Sequence, residues 1–474
     1  MPAFDFFLMN LIVAISASIL CRVFLSERST ADYCISWFII YISQIIFSLE
    51  ILGMSGLISL RNALLLNTVF LILVFLLAKY IKTQQNESFI SKFQDLLSRI
   101  ELSKIEIFCI SVVISFLVVK VFINLVNPPF GWDSLNYHFT FAVEWLKHGN
   151  LSMPPTVFDD PGPSYYPING SLFYLWLILP FKNVFLADLG QLPFFVLSAL
   201  SVFSIARKIG LEKKFAFYAT TLFILIPNFF KQLQVAYVDV MVAAFLLASL
   251  NFLLALNKGF SLKNTFFFSA ALGLALGTKT TALPFVLVIF IPFLLLCFTR
   301  KETKNGPWLF FLGSFVILAT GGFSYFRNFI MTGNPLYPLN FNIFNLQIFK
   351  GVIDNQIYRT AIRPGDYRIA KILFSEGLGA QTVLIFLPAF LIGLPVLAAF
   401  KKWRAGFLLY YFMSLPLLFI LIYRFLLPLP NLRYIYVIFG IASVIAFYVL
   451  NNLRIPKNAV IVAFAICVLA SMGE

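Results

Sequence analysis

The sequence predicts an all-α, polytopic membrane protein, and three observations carry that reading. Of its 474 residues, 61% are apolar and only 12% charged, against about 25% charged in ordinary soluble chains. The mean hydropathy is +0.92. Apolar runs of roughly 20 residues, the length that crosses a hydrocarbon core about 30 Å thick, recur from Phe4 to Ala470. A water-soluble globular fold is excluded. So is a transmembrane β-barrel, because continuous runs such as Thr68 to Ala78 stand where a barrel needs short alternating segments.

In chain order the spans are expected at 4–25, 33–52, 62–80, 104–126, 185–206, 215–230, 235–256, 264–279, 281–299, 307–327, 376–400, 406–423, 432–450 and 458–472, about fourteen in all. The first lacks a basic leader and a small-residue cleavage site before Arg22, so it is expected to be a retained span. With the N-terminus outside, most Lys and Arg fall on one side, among them Arg22, Lys79, Lys104, Arg207, Lys213, Lys258, Arg300, Lys401 and Arg454. That side is the cytoplasm, because translocating flanking cations is disfavoured. The formal charge of +15 is thus explained by topology, and no nucleic-acid partner is expected, since the basic residues are scattered through short loops. The five cysteines sit in or beside apolar runs without CxxC spacing, which gives neither a zinc site nor a disulfide framework. With no GxxxxGK[ST] or GxGxxG motif, nucleotide-driven pumping is not expected either.

Two loops, Asn127 to Val184 and Arg327 to Ser375, fall outside the membrane and are too long for simple connections. Function is sought there. Ser171 to Pro180 is apolar but too short to span, and is expected to be juxtamembrane. The cytoplasmic stretch Gln84 to Glu106 lines Phe89, Phe93, Leu96, Leu97 and Ile100 on one helical face, as an interfacial helix would. The chain accordingly divides into an N-terminal transmembrane segment with this helix (1–103), a core including the loop 127–184 (104–330), and the second loop with the C-terminal helices (331–474).

Asp133 stands a few residues beyond a span, at the predicted membrane–water boundary. Behind it Leu135, Phe139, Ala142, Val143 and Leu146 form an apolar stripe, as expected of a helix lying on the bilayer. Asp133 or Ser134 would serve equally as a helix cap or as part of a reaction centre. Tyr165 and Tyr166 suit either sugar stacking or interfacial anchoring. His138 and His148, ten residues apart, lack metal-ligand spacing, although His138 is placed to hydrogen-bond beside Asp133. Asp159 and Asp160 fit a solvated turn better than a cation site. Asp239 begins a span and Lys279 ends one, both at the external side, where a buried charge is costly unless paired or wet. Arg327, Arg424 and Arg433 occupy comparable positions, and Lys350, Arg359, Arg363, Arg368 and Lys371 enrich the second loop. These cations call for an anionic partner, lipid headgroup or substrate phosphate.

Four motifs resemble the bacterial polytopic glycosyltransferases of superfamily C, especially relatives of the protein O-mannosyltransferases and aminoarabinose transferases. They are Gly131-Trp-Asp-Ser-Leu-Asn-Tyr-His138, Tyr166-Pro-Ile-Asn-Gly170, Gly273-Leu-Ala-Leu-Gly-Thr-Lys279, and Gly333-Asn-Pro-Leu-Tyr-Pro338 followed by Arg433-Tyr434, together covering Leu102 to Leu450. Their order and topology, more than any one of them, carry the likeness. The resemblance implies an inverting, metal-independent and cofactor-free transfer of sugar from a polyprenyl-phosphate donor to a lipid, glycan or protein acceptor. The reaction would run on the extracytoplasmic face of the cytoplasmic (inner) membrane. It implies Asp133 as general base, Lys279, Arg327 and Arg433 on the lipid phosphate, and Tyr137, His138, Tyr166 and Asp239 around acceptor or sugar. The three spans before Ser103 have no counterpart in the simplest members, and the extra acidic ligands and large external domain of the metal-dependent branch are missing from the sequence. The rival readings are an O-antigen polymerase or ligase working on lipid-pyrophosphate-linked glycans, and a flippase or transporter of lipid-linked sugars.

Overall fold

The computed structural model describes residues 2–24, 29–81, 103–156, 160, 162–299, 305–343, 346–354, 357–362, 367–368, 377–400 and 406–472. Most of the expected interfacial helix at 84–106, together with Asp159, Arg363 and Lys371, lies outside the described residues. Contacts group the chain into two compact units, Met1–Pro193 with Gln234–Tyr237, and Phe194–Leu233 with Val238–Glu474. This grouping follows packing, whereas the division after residues 103 and 330 follows topology and motif order.

The first unit opens with four apolar helices, α1 (Pro2–Phe24), α2 (Thr30–Met54), α3 (Leu60–Tyr80) and α4 (Lys104–Val126). Serine caps start three of them. Ser29 accepts from the Asp32 amide, Ser59 from the Asn62 amide, and Ser103 forms a reciprocal box with Glu106. Asn10 of α1 is a polar node, its Oδ1 accepting from the Tyr41 hydroxyl of α2 and, at 3.1 Å, from Trp176 Nε1. Trp176 belongs to α6 (Asn169–Ile178), which follows α5 (Phe139–His148). Every residue of α6 is buried. At ten residues it is about 15 Å long, too short to span, and apolar on all sides, as a helix enclosed by protein must be. It packs on α2 and α5. Of the stripe expected to face the bilayer, Phe139 and Ala142 turn inward, Phe139 meeting Tyr174 edge-on, while Leu135 is exposed and Val143 and Leu146 are half-buried.

The second unit contains α7 (Leu192–Lys208, from Phe194 on), α8 (Lys213–Ile224), α9 (Asp239–Lys258), α10 (Leu262–Thr278), α11 (Leu283–Thr299), α12 (Gly306–Gly321), α13 (Phe323–Thr332), α14 (Leu394–Phe400), α15 (Phe407–Phe425), α16 (Tyr436–Asn452) and α17 (Lys457–Ser471). Burial is densest along α9 and α16, which form the centre of this unit. Glycines set the closest approach. A Cβ on Gly273 of α10 would lie 2.0 Å from Thr320 Oγ1, and one on Gly321 of α12 would lie 2.0 Å from the Gly273 carbonyl. The two backbones therefore touch, as small residues allow in membrane helix pairs.

By length and composition, ten of the described helices can cross a membrane, or eleven if one bent pair counts as a single span. The chain is a multi-pass membrane protein. Two of the expected spans are broken, and two are helices shorter than the ten that can cross. The span at 215–230 stops at Ile224 before Pro227, those at 264–279 and 458–472 form helices of 17 and 15 residues, and the one at 307–327 bends by 76° between α12 and α13. Helix α13 exposes Phe326, Phe329, Ile330 and Met331 while burying Ser324 and Asn328, the inverted pattern of a helix lying against lipid.

A three-stranded sheet departs from the all-α expectation. Strand β1 (Leu339–Ile343) pairs antiparallel with β2 (Leu346–Phe349) and parallel with β3 (Ile353–Asp354). Alternation in Leu339-Asn-Phe-Asn-Ile343 is the period-two signal behind it. Asn334 ties it to α13, donating through Nδ2 to the carbonyls of Leu339 and Lys350 while its backbone carbonyl accepts from Thr332.

Candidate functional site

In the first unit Gly131 turns the chain with φ +104°, a conformation that suits glycine. A Cβ there would crowd Tyr237 Cε1 at 3.0 Å and Val235 Cγ1 at 3.1 Å. The next residues form two faces. Phe130, Trp132 and Leu135 are half or more exposed, whereas Asp133, Ser134, Tyr137 and His138 are buried. An exposed tryptophan beside a buried carboxylate suits a boundary between lipid and a polar interior. Asp133 has helical backbone angles and makes no capping bond, so capping does not account for it.

Ser134–His138 forms a wide π turn leading into α5; such turns insert one residue and often mark functional positions. The turn points His138 inward, its Nδ1 lying 2.9 Å from Ser171 Oγ on α6. Around it Tyr137 packs at 4.3 Å on the His138 ring, Tyr166 meets Tyr137 edge-on at 5.8 Å, and Tyr174 sits 5.7 Å from His138. The Tyr174 hydroxyl donates to the Tyr237 carbonyl, and Gln191 Nε2 donates to the Val235 carbonyl at 2.8 Å. Three of the expected acceptor or sugar residues, Tyr137, His138 and Tyr166, thus share one aromatic neighbourhood a few residues from Asp133.

In the second unit the expected charges converge. Asp239, in the first turn of α9, receives Lys279 Nζ at 2.8 Å on Oδ1, and Arg433 Nε lies 3.6 Å from Oδ2. The carboxylate at a helix N-terminus and the ammonium just past the C-terminus of α10 each complement a helix dipole. Tyr434 lies beneath both cations, its ring 4.8 Å from Lys279 Nζ and 5.5 Å from the Arg433 guanidinium carbon. A small pocket opens beside this group, lined by Asp239, Val242, Thr281, Arg433, Tyr434 and Tyr436 among others. Tyr436 is held by the Asn228 side chain, which accepts from its hydroxyl at 2.5 Å. Asp239 belongs with the cations as their counter-charge.

Arg327 is engaged differently. Its guanidinium donates to Asn328 Oδ1 at 3.1 and 3.3 Å on α13. Asp160 Oδ1 accepts the Gly162 amide at 2.9 Å, closing a local turn. Among the described residues, no three His, Cys, Asp or Glu side chains converge as metal ligands do. Tyr434, Tyr436 and Asn228 escaped sequence reading as lining or positioning groups. The only signal was the Arg433-Tyr434 motif, which gave Tyr434 no role of its own.

Set against protein-family models, curated proteins and solved structures, the chain matches none. The family resemblance therefore rests on the four motifs alone.

Proposed function

We propose that the protein is a membrane glycosyltransferase that moves a sugar from a polyprenyl-phosphate donor to an acceptor outside the cytoplasmic membrane. The supporting observation is that Lys279 and Arg433 gather at Asp239 beside a small pocket, cations of the kind that hold phosphate oxygens. Chemistry of this class needs little more than a base and a stabilised leaving group. The acceptor oxygen forms its bond to the anomeric carbon as the bond from that carbon to the phosphate oxygen breaks. The acceptor proton passes to the Asp133 carboxylate. The departing polyprenyl phosphate carries the electron pair and is met by Lys279 and Arg433. One displacement inverts the anomeric centre, and Tyr137, His138 and Tyr166 orient sugar or acceptor. Arg327, engaged with Asn328, serves as a remoter phosphate contact.

Purified protein incubated with radiolabelled polyprenyl-phosphate sugars tests this reading. Transfer, or slow donor hydrolysis, is expected in the parent and reduced in Asp133→Asn by about 10²–10⁴-fold, the usual worth of a general base. An undiminished mutant removes the assigned base.

The 76° bend between α12 and α13 supports a second reading, since broken helices recur in transporters. Movement of a lipid-linked sugar across vesicles, with no transfer product, decides for it.

A further inference from the structure

An arginine of the second long loop and another at the end of α15 meet in a place that glycosyl transfer does not use. Arg359 lies in the turn Tyr358–Ile362, its guanidinium carbon 4.2 Å from the centre of the Tyr367 ring. Tyr367 is a fixed shelf. It is 6% exposed, packs edge-on against the buried Tyr423 of α15 at 5.9 Å, and donates its hydroxyl to the Leu427 carbonyl at 3.2 Å. Burial raises its pKa above the ordinary tyrosine value, and the Arg359 charge works against that rise. Arg424, in the last turn of α15, stands at the same place: Arg359 Nη2 donates to the Arg424 carbonyl at 2.5 Å, and the Arg424 guanidinium lies 5.6 Å from the Phe425 ring.

Two like charges are therefore gathered at one helix end. Among the described residues, neither guanidinium forms an ion pair with a carboxylate. The helix C-terminus tolerates them but supplies only partial negative charge. Arg359 spends one donor on a carbonyl, and stacking occupies the face of its guanidinium, not the N–H groups at its edge. Arg424 is exposed and Arg359 half-buried, so both are open to a ligand. Phe425 and Leu426 beside them are 64% and 53% exposed, an apolar skirt at the end of a membrane-spanning helix. Two guanidinium forks at headgroup depth match the oxygens of a doubly charged tetrahedral anion better than a single carboxylate.

We infer that Arg359, seated on Tyr367, and Arg424, at the end of α15, form a phosphate-binding pair additional to Lys279 and Arg433. Its ligand is a phosphate group, carried by a lipid or free in solution. The site stands on its own geometry and does not need the glycosyl-transfer reading.

Calorimetric titration of the detergent-purified protein tests it, with inorganic phosphate in one arm and farnesyl phosphate in the other. The parent is expected to bind at least one of the two probes. Arg359→Gln and Arg424→Gln each weaken that binding about tenfold, and the double variant about a hundredfold, the size of charge-assisted contacts. Binding of both probes identifies a site for free phosphate; binding of farnesyl phosphate alone identifies a lipid headgroup site. Arg359→Lys, which keeps the charge but loses the fork and the stacking plane, should fall between parent and Gln variant, and it serves if Arg359→Gln does not fold. Equal affinity in the parent and the double variant overturns the site, as does a parent that binds neither probe. A protein that binds phosphate through this pair yet transfers no sugar sinks the transferase proposal alone.

Discussion

Lys279 and Asp239, 40 residues apart in the chain, meet at 2.8 Å with side chains only 11% and 2% exposed. The same carboxylate lies 3.6 Å from Arg433 Nε. Asp239→Ala takes this carboxylate away from two poorly hydrated cations and is expected to destabilise the protein by about 3–5 kcal/mol, the usual cost of breaking a buried pair. Adding Lys279→Met should recover part of that loss. Unfolding in detergent, run as a double-mutant cycle, measures the coupling, and strictly additive losses would contradict the pairing.

The contact between α10 and α12 gives a steric prediction. Gly321→Val puts a branched carbon where 2.0 Å separates an added Cβ from the Gly273 carbonyl, so the helices must part. A loss of about 3 kcal/mol or more is expected, at the upper end for overpacking. Gly333→Ala is the control. Gly333 has φ +72° but nothing within 4 Å of an added Cβ, so only backbone strain of about 1–2 kcal/mol applies. Melting temperatures that fall equally for both would show that the close helix contact is not tight.

Asn10 offers a polar test in the first unit. Asn10→Leu deprives Trp176 Nε1 and the Tyr41 hydroxyl of their acceptor. Each donor stranded in this way costs about 1–3 kcal/mol. Tryptophan fluorescence and limited proteolysis should show α6 loosened from α1; unchanged protection would mean that the shared oxygen contributes little.

Glu144 gives a pH dependence. The hydrogen bond from Lys147 at 2.7 Å, with the charges of Lys147 and His148 beside it, holds its carboxyl below the ordinary value of 4.5. A lowered folded-state pKa means that the stabilisation is present above the unfolded value and fades as pH falls through the folded one. The difference in melting temperature between the parent and Glu144→Gln is thus expected to be small at pH 7, as for any exposed pair, and to vanish as pH falls below the ordinary carboxylate range. A difference independent of pH would remove the carboxylate as its origin.

Much of the helix inventory was legible in the sequence. The spans expected at 4–25, 33–52, 62–80 and 104–126 meet helices Pro2–Phe24, Thr30–Met54, Leu60–Tyr80 and Lys104–Val126, because a long apolar run leaves little choice of structure. Where the pattern weakened, local chemistry decided: Pro227 ended one span, and Gly321-Gly322 stands at the bend of another. The hairpin of β1 and β2 was readable as alternation but lay in a loop between helices. Asp239, Lys279 and Arg433 were singled out one by one; their convergence was not legible, because three elements distant in sequence carry them. The burial of α6 was hidden as well, since hydropathy cannot separate a segment wrapped in lipid from one wrapped in protein.

That enclosure of α6 bears on what the opening quarter of the chain is for. Its indole is anchored to the first helix and its flank rests on the second, so the early hairpin is the mould in which the aromatic cluster around His138 is cast. A shortened chain beginning near Ser103 would keep every motif of the family resemblance and still lose the scaffold that gives Tyr137, His138 and Ser171 their positions.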